Sequence, residues 1–205
     1  IMGLHTIMIL WDVAKYYDTL QYDKLDESCL EQNYRRKRSA LTFGTHASPR
    51  IPKLNKAVER MMASVGTGIL TGCQRSQTIA RAYTNKSVDK LRSSYGAAVA
   101  GNTKANGIRV HQHVDDLTQM MWNICPVTLA SKAGRAVLCW IKETRSMEVG
   151  ISEKTVIVPP GLAADAVQLT FKDEGISVKI AKHAVDLGID TTAGISRNPK
   201  NPKDC

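Results

Sequence analysis

The sequence predicts an α+β domain: a split β-α-β antiparallel sheet with helices packed on one face. Three observations point there. Thr6-Ile-Met-Ile-Leu-Trp11 is short, apolar throughout and ended by Asp12, the pattern of a buried strand. Residues 108–114 and 117–122 lean apolar on either side of Asp115-Asp116, which reads as a hairpin with acids at its tip. Residues 127–142 carry Leu129, Ala133, Val137, Leu138 and Ile141 at amphipathic-helix spacing. The order of elements, β-α-(α)-β-β-α-β, suits a sheet covered by helices on one side.

The remaining elements follow in order. A helix is expected over 22–38, with Leu25, Cys29 and Leu30 on its apolar side and Arg35-Arg36-Lys37-Arg38 in its last turn. Residues 42–52, with Gly44, Pro49 and Pro52, are expected as loop, and 53–63 as helix. Gly66, Gly68 and Gly72 mark an irregular turn before a helix over 76–91 bearing Ile79, Ala80, Tyr83 and Val88. Residues 101–107 form a polar loop. Residues 148–158 read as a strand pair or bent strand stopped by Pro159-Pro160, 162–172 as a short helix, and 176–180 and 184–189 as two last strands. Residues 1–192 form one domain on this reading, and 193–205 a loose polar tail.

Composition narrows the class. Hydrophobic residues make up 43% of 205, enough for a globular core. The net charge of +9 and pI near 9.4 favour a polyanionic partner, nucleic acid first, although a solvated basic surface gives the same numbers. Five cysteines, none in a C-x-x-C pair, argue against a zinc ribbon and a secreted disulfide framework, so the protein is expected inside the cell, in nucleus or cytoplasm. No apolar run approaches the roughly 20 residues of a membrane span, and no membrane partner is expected.

Three carboxylates stand out by placement. Asp12 closes the first strand, and Asp115 and Asp116 sit at the hairpin tip. In a split β-α-β sheet these elements can be neighbours, and the acids then converge at one end. Adjacent carboxylates repel unless a cation neutralises them, and Mg²⁺ (or Mn²⁺) suits such a site. Two such ions about 3.5–4 Å apart activate an attacking hydroxyl and stabilise a leaving oxygen. Acids at strand ends are also commonly plain solvated turns, and these residues alone leave both possibilities open.

The surrounding residues carry a resemblance. Trp11-Asp12-Val13-Ala14-Lys15-Tyr16-Tyr17-Asp18 resembles the first catalytic motif of reverse transcriptases from non-LTR retrotransposons and group II introns, with Tyr16 in place of a small residue. Gly68-Ile-Leu-Thr71-Gly72-Cys-Gln74-Arg-Ser76 is similar to the second, with Thr71 and Gln74 departing from it. His113-Val-Asp115-Asp116 is similar to the third, with His113 replacing an aromatic, and Gly150-Ile-Ser-Glu-Lys154-Thr to the fourth. Asp186-Leu187-Gly188 resembles the fifth, at the primer-grip hairpin. Five motifs in the family's order cover residues 6–192.

The resemblance implies a polymerase palm of ferredoxin/RRM-like topology, with the fingers and thumb of a longer parent missing from this segment. It implies RNA-directed DNA synthesis on an RNA template with a DNA primer and dNTP. Asp12 and Asp115 would bind both metal ions, Asp116 more weakly, with the Val13 carbonyl completing one shell. Lys154 would approach the departing pyrophosphate. Tyr17 would lie under the incoming sugar, and Tyr16 and Tyr17 would point to opposite sides if the chain is extended there. Gly72 and Ser76 would shape the loop and helix start facing the nucleotide. Arg35, Arg36, Lys37 and Arg38 are candidates for phosphate contacts, and Leu187 and Gly188 for the primer.

Two other readings remain. His111-Gln-His113-Val-Asp115-Asp116 is similar to the H-x-H-x-D-H zinc motif of metallo-β-lactamase-type hydrolases, with Asp116 replacing the last histidine. Alternatively the chain is an inactive retroelement remnant that keeps the fold and some nucleic-acid binding.

Overall fold

The computed structural model describes residues 3–48, 53–54, 57–58, 67–69, 75–96, 106–113, 116–186 and 189–191. The chain opens with β1 (His5–Trp11), β2 (Val13–Ala14), α1 (Tyr16–Thr19), α2 (Tyr22–Glu31) and α3 (Arg36–Ala47). A two-strand ribbon, β3 (Lys53–Leu54) and β4 (Ala57–Val58), comes before α4 (Ser76–Gly96). The hairpin β5 (Asn106–His113) and β6 (Asp116–Asn123) leads into α5 (Pro126–Ser146). Then come β7 (Gly150–Ile151), β8 (Val156–Val158), α6 (Leu162–Asp173), β9 (Lys179–Ile180), β10 (Ala184–Asp186) and β11 (Ile189–Thr191).

The main sheet has the order β5-β6-β1-β8-β9. Its centre is β1, antiparallel to β6 from His5↔Asn123 to Trp11↔Leu117 and antiparallel to β8 on its other edge. Only β9 departs from the expected antiparallel sheet; it runs parallel to β8.

Side-chain alternation sorts the two faces. Ile7, Ile9 and Trp11 of β1, Leu117 and Met121 of β6 and Ile157 of β8 share a core with α4, α5 and α6. Trp11 is its anchor: its ring centroid lies 5.2 Å from that of Phe171 and 6.2 Å from that of Trp140, and its Nε1–H donates to Gln119 Oε1 at 3.2 Å. A second cluster joins Tyr16, Leu20, Leu25 and Cys29 to Ile79, Ala80 and Tyr83 of α4. The three helices therefore cover one face, as expected. On the other face Arg109, His111 and His113 are exposed.

Several elements differ from the sequence reading. The helix expected over 22–38 ends at Glu31. Asn33, with φ 58°, turns the chain, and the Tyr34 N–H donates to the Cys29 carbonyl while the Asn33 N–H donates to that of Leu30. This is a Schellman stop with asparagine in the left-handed position. The basic run consequently opens α3 instead of closing α2, a placement the helix dipole disfavours by about 0.3–1 kcal/mol per charge. The expected loop over 42–52 is helical through Ala47, because α3 buries Ser39, Thr42 and His46, a polar stripe with no apolar signal. Lys53–Leu54 and Ala57–Val58 pair as strands where a helix was expected. The strand over 176–180 shortens to β9, and Ile189 belongs to β11, which pairs back on β10.

Among the described residues no helix is long and apolar enough to cross a membrane. Cys29, Cys125 and Cys139 are free thiols.

Candidate active site

Asp12 sits where the first strand changes partner. Up to Leu10 the chain pairs with β8, and from Val13 it pairs with β7. The turn between β7 and β8 wraps the break. The Ser152 N–H donates to the Asp12 carbonyl at 2.8 Å. The buried Thr155 hydroxyl accepts from the Asp12 N–H at 3.2 Å and reaches the Asp12 carbonyl at 3.5 Å. With Trp11 locked into the helix-side core, alternation turns Asp12 toward the opposite face.

Asp116 begins β6. One position beyond the last pair of β1 with β6, Trp11↔Leu117, the register sets Asp12 opposite Asp116. Across the hairpin His113 pairs with Asp116. Both aspartates are half-buried. Asp115, and with it the expected closeness of Asp12 and Asp115, lies outside the described residues. Lys154 is exposed in the same turn that fixes Asp12, two residues ahead of β8, with its N–H on Ser152 Oγ at 3.2 Å.

The first and second motifs are stitched together. Lys15, with φ 49°, breaks the strand and starts α1, so Tyr16 and Tyr17 occupy a helical turn, unlike the extended arrangement considered above. Tyr16 is buried; its hydroxyl donates to the Ala80 carbonyl and meets Thr84 Oγ1, which in turn accepts from the Gln112 side chain. Tyr17 is half-buried, packed edge-on to Tyr16. Its carbonyl accepts from the Ile69 N–H at 2.8 Å, and that of Leu20 accepts from the Gly68 N–H at 2.9 Å. Gly68 has φ 86°, and a Cβ there would stand 3.1 Å from the Asp18 carbonyl oxygen, so only glycine lets the second-motif segment lie against α1.

Ser76 is fully buried at the start of α4, its hydroxyl 3.4 Å from His46 Nε2. It shapes the helix start from beneath. Arg35, Arg36, Lys37 and Arg38 are all exposed. Gly72, Leu187 and Gly188 lie outside the described residues. Sequence reasoning missed Ser152 and Thr155 as positioning residues; their only signal was adjacency to Lys154. Among the described residues no group of three or more His, Cys, Asp or Glu side chains could hold a metal ion, and the zinc arrangement of His111 and His113 gains no support.

No family model matches the chain, and no curated protein matches it. Solved structures do. Apo telomerase from Candida tropicalis truncated of its C-terminal domain superimposes with a TM-score of 0.57 at 15% identity, over 93% of this chain and 34% of that one. A second structure of apo telomerase from Candida tropicalis gives 0.54 at 14% identity, over 91% of this chain and 31% of that one. The fold is a reverse-transcriptase-like palm. At such identity what is shared is the fold, and this chain spans about a third of the length of those structures. In the palm, β1 and the β5–β6 hairpin hold Asp12 and Asp116, and the helices lie behind them.

Proposed function

We propose that the chain is the palm of an RNA-directed DNA polymerase, transferring a nucleotide from a dNTP to a primer 3′-hydroxyl on an RNA template. The observation that carries this is the register of Asp12 against Asp116 at one end of the sheet, with the Asp12 backbone fixed by the turn that bears Lys154. The likeness to telomerase supports a polymerase acting on nucleic acid. The spelling of the motifs favours a retroelement enzyme of the non-LTR or group II intron type, working in nucleus or cytoplasm within a longer polypeptide that supplies fingers and thumb.

The donor set suits a hard cation. Asp12 and Asp116 offer carboxylate oxygens and Val13 a carbonyl, and Mg²⁺ commonly binds one or two carboxylates together with substrate phosphates. Two Mg²⁺ or Mn²⁺ ions bound there, with Asp115 contributing, would acidify the primer hydroxyl and offset charge on the leaving oxygen. In the reaction the 3′-oxygen bonds to the α-phosphorus, the bond to pyrophosphate breaks, and the hydroxyl proton is released. The Lys154 ammonium offsets the charge that gathers on pyrophosphate. Tyr17 bounds the sugar side of the nucleotide site. By the resemblance, Leu187 and Gly188 would hold the primer, and Gly72 and Ser76 would shape the loop and helix start facing the nucleotide.

Departure from the family at Tyr16 is absorbed by the core, where its ring is buried and its hydroxyl is bonded, which speaks against decay at that position. In the intact parent polypeptide, Asp12→Asn is expected to abolish primer extension while primer–template binding persists. Extension that survives Asp12→Asn overturns the assignment.

A further inference from the structure

A polar groove of about 390 Å³ runs between α4 and the edge strand β5, outside the Asp12–Asp116 region. Thr78, Arg81, Asn85 and Arg92 line it from one stripe of α4, Tyr34 closes it from the α2–α3 junction, and Gln112 from β5. None of its lining residues is a carboxylate. Two arginines are anchored to the edge of β5: Arg92 Nη2 donates to the Val110 carbonyl at 2.8 Å and Arg81 Nη2 to that of Gln112 at 3.4 Å. Those carbonyls are two residues apart, about 6.8 Å along an extended strand. That separation is comparable to the spacing of successive phosphates in an extended polynucleotide. Arg92 also pairs with Asp89 on the same helix, at 3.0 Å.

A second observation adjoins the first. Tyr34 runs directly into Arg35, Arg36, Lys37 and Arg38, all exposed at the opening of α3. Four cations there work against the helix dipole, and a polyanion laid across them reverses that cost. At the β5 side, Gln112 is followed by His113, which pairs with Asp116. The groove thus lies between a basic surface and the hairpin whose second strand begins with Asp116.

We infer that this groove holds the sugar–phosphate backbone of a single-stranded RNA. Arginine forks match phosphate oxygens. The Tyr34 and Thr78 hydroxyls and the Asn85 amide match a 2′-hydroxyl, which both donates and accepts and distinguishes RNA from DNA. The identity of the strand as template rests on the polymerase reading; its binding does not require catalysis.

The test is binding of a labelled single-stranded RNA, and of DNA of the same sequence, to the 205-residue chain by fluorescence anisotropy across a salt series. Arg81→Glu is expected to weaken RNA binding about ten-fold or more and to lower the salt slope by about 1. Lys172→Glu, the same charge change at an exposed position of α6, is expected to stay within about two-fold. Arg92→Glu should act like Arg81→Glu; if losing its bond to Val110 unfolds the chain by circular dichroism, Arg81→Gln supplies the second reading at an exposed position. Equal effects of Arg81→Glu and Lys172→Glu mean a net-charge effect and overturn the groove. DNA bound as tightly as RNA overturns the choice of strand. A groove overturned in this way leaves the Asp12→Asn extension test untouched, and RNA held in the groove by a chain whose parent extends despite Asp12→Asn separates the two in the other direction.

Discussion

Asp12 and Thr155 hold each other across 143 residues of sequence, through the Asp12 N–H on the Thr155 hydroxyl at 3.2 Å and that hydroxyl on the Asp12 carbonyl at 3.5 Å. Thr155 is fully buried, so its oxygen is spent on this one backbone unit at the point where the strand changes partner. Thr155→Val keeps the shape and removes the hydroxyl. It leaves the half-buried Asp12 amide without its partner, at a cost of about 1 kcal/mol. Urea unfolding should show that loss, and extension by the parent polypeptide should fall more than the stability loss alone explains, since Asp12 would no longer be fixed. A variant with wild-type extension would remove Thr155 from the positioning of Asp12.

His113 and Asp116 form the last cross-strand pair of the β5–β6 hairpin, and the histidine is exposed. Strands accept aromatics well. As a palm residue, His113 substitutes for the aromatic that the family carries, so His113→Tyr should leave stability within about 0.5 kcal/mol and preserve extension. As a zinc ligand it could not be replaced by a neutral phenol without losing metal affinity. Zinc titration and primer extension on the one variant decide: zinc bound by the wild type and lost by the variant, with extension in neither, would sink the palm reading of this motif.

The elements that sequence alone made legible are those whose buried face is apolar. β1 was legible as an apolar run and α4, α5 and α6 by their helical spacing; Leu129, Ala133, Val137 and Ile141 are buried as expected, whereas the buried Trp140 was not among the residues singled out. α3 was invisible for the same reason: its inward stripe is Ser39, Thr42 and His46. The end of α2 was missed because asparagine, not glycine, takes the left-handed position. At the candidate site, Asp12, Asp116 and Lys154 were singled out by motif spelling. The clamp by Ser152 and Thr155 was not, because it depends on strands 143 residues apart exchanging partners. The arginines of the α4–β5 groove lie in no motif and become neighbours of β5 only through folding.

Alkaline pH should weaken the fold through two buried acids of the second cluster. Burial, reinforced by the Asp26 carboxylate, pushes the Cys29 thiol from 9.0 up to about 11. Burial likewise pushes the Tyr83 phenol from 10.0 up to about 12, outweighing the lowering by a backbone hydrogen bond at Gln21. Each group keeps its proton longer in the folded chain than in the unfolded one. Above pH 9 the unfolded state therefore binds fewer protons, and stability falls with rising pH. The contribution is fully present below pH 9 for Cys29 and below pH 10 for Tyr83, and is lost as pH passes about 11 and about 12. Urea unfolding at a series of pH values from 8 upward should show this decline. Cys29→Ala should flatten its lower part and Tyr83→Phe its upper part, whatever offset each causes at neutral pH. A slope unchanged in both variants would place the alkaline transition elsewhere.

Gly107 and Trp122 are cross-strand neighbours on the face of the sheet away from the helices. The indole lies against the glycine backbone so closely that a Cβ on residue 107 would stand 2.8 Å from Cε2 and from Cη2 of Trp122. The glycine is needed for this contact and not for its backbone angles, since residue 107 has no left-handed φ. Gly107→Ala must therefore push the indole off β5, at a cost of about 1–3 kcal/mol for an overpacked contact. Removing the indole should change the sign. In a Trp122→Leu background the same substitution meets a smaller, more flexible side chain, and alanine loses less conformational entropy than glycine on entering a strand, which favours it by about 0.5–1 kcal/mol. Thermal unfolding of the two single variants and the double variant closes the cycle, with a coupling of about 1.5–3 kcal/mol expected for residues in direct contact. Gly107→Ala destabilising both backgrounds equally would show that the cost comes from the strand itself and that Trp122 does not rest on Gly107.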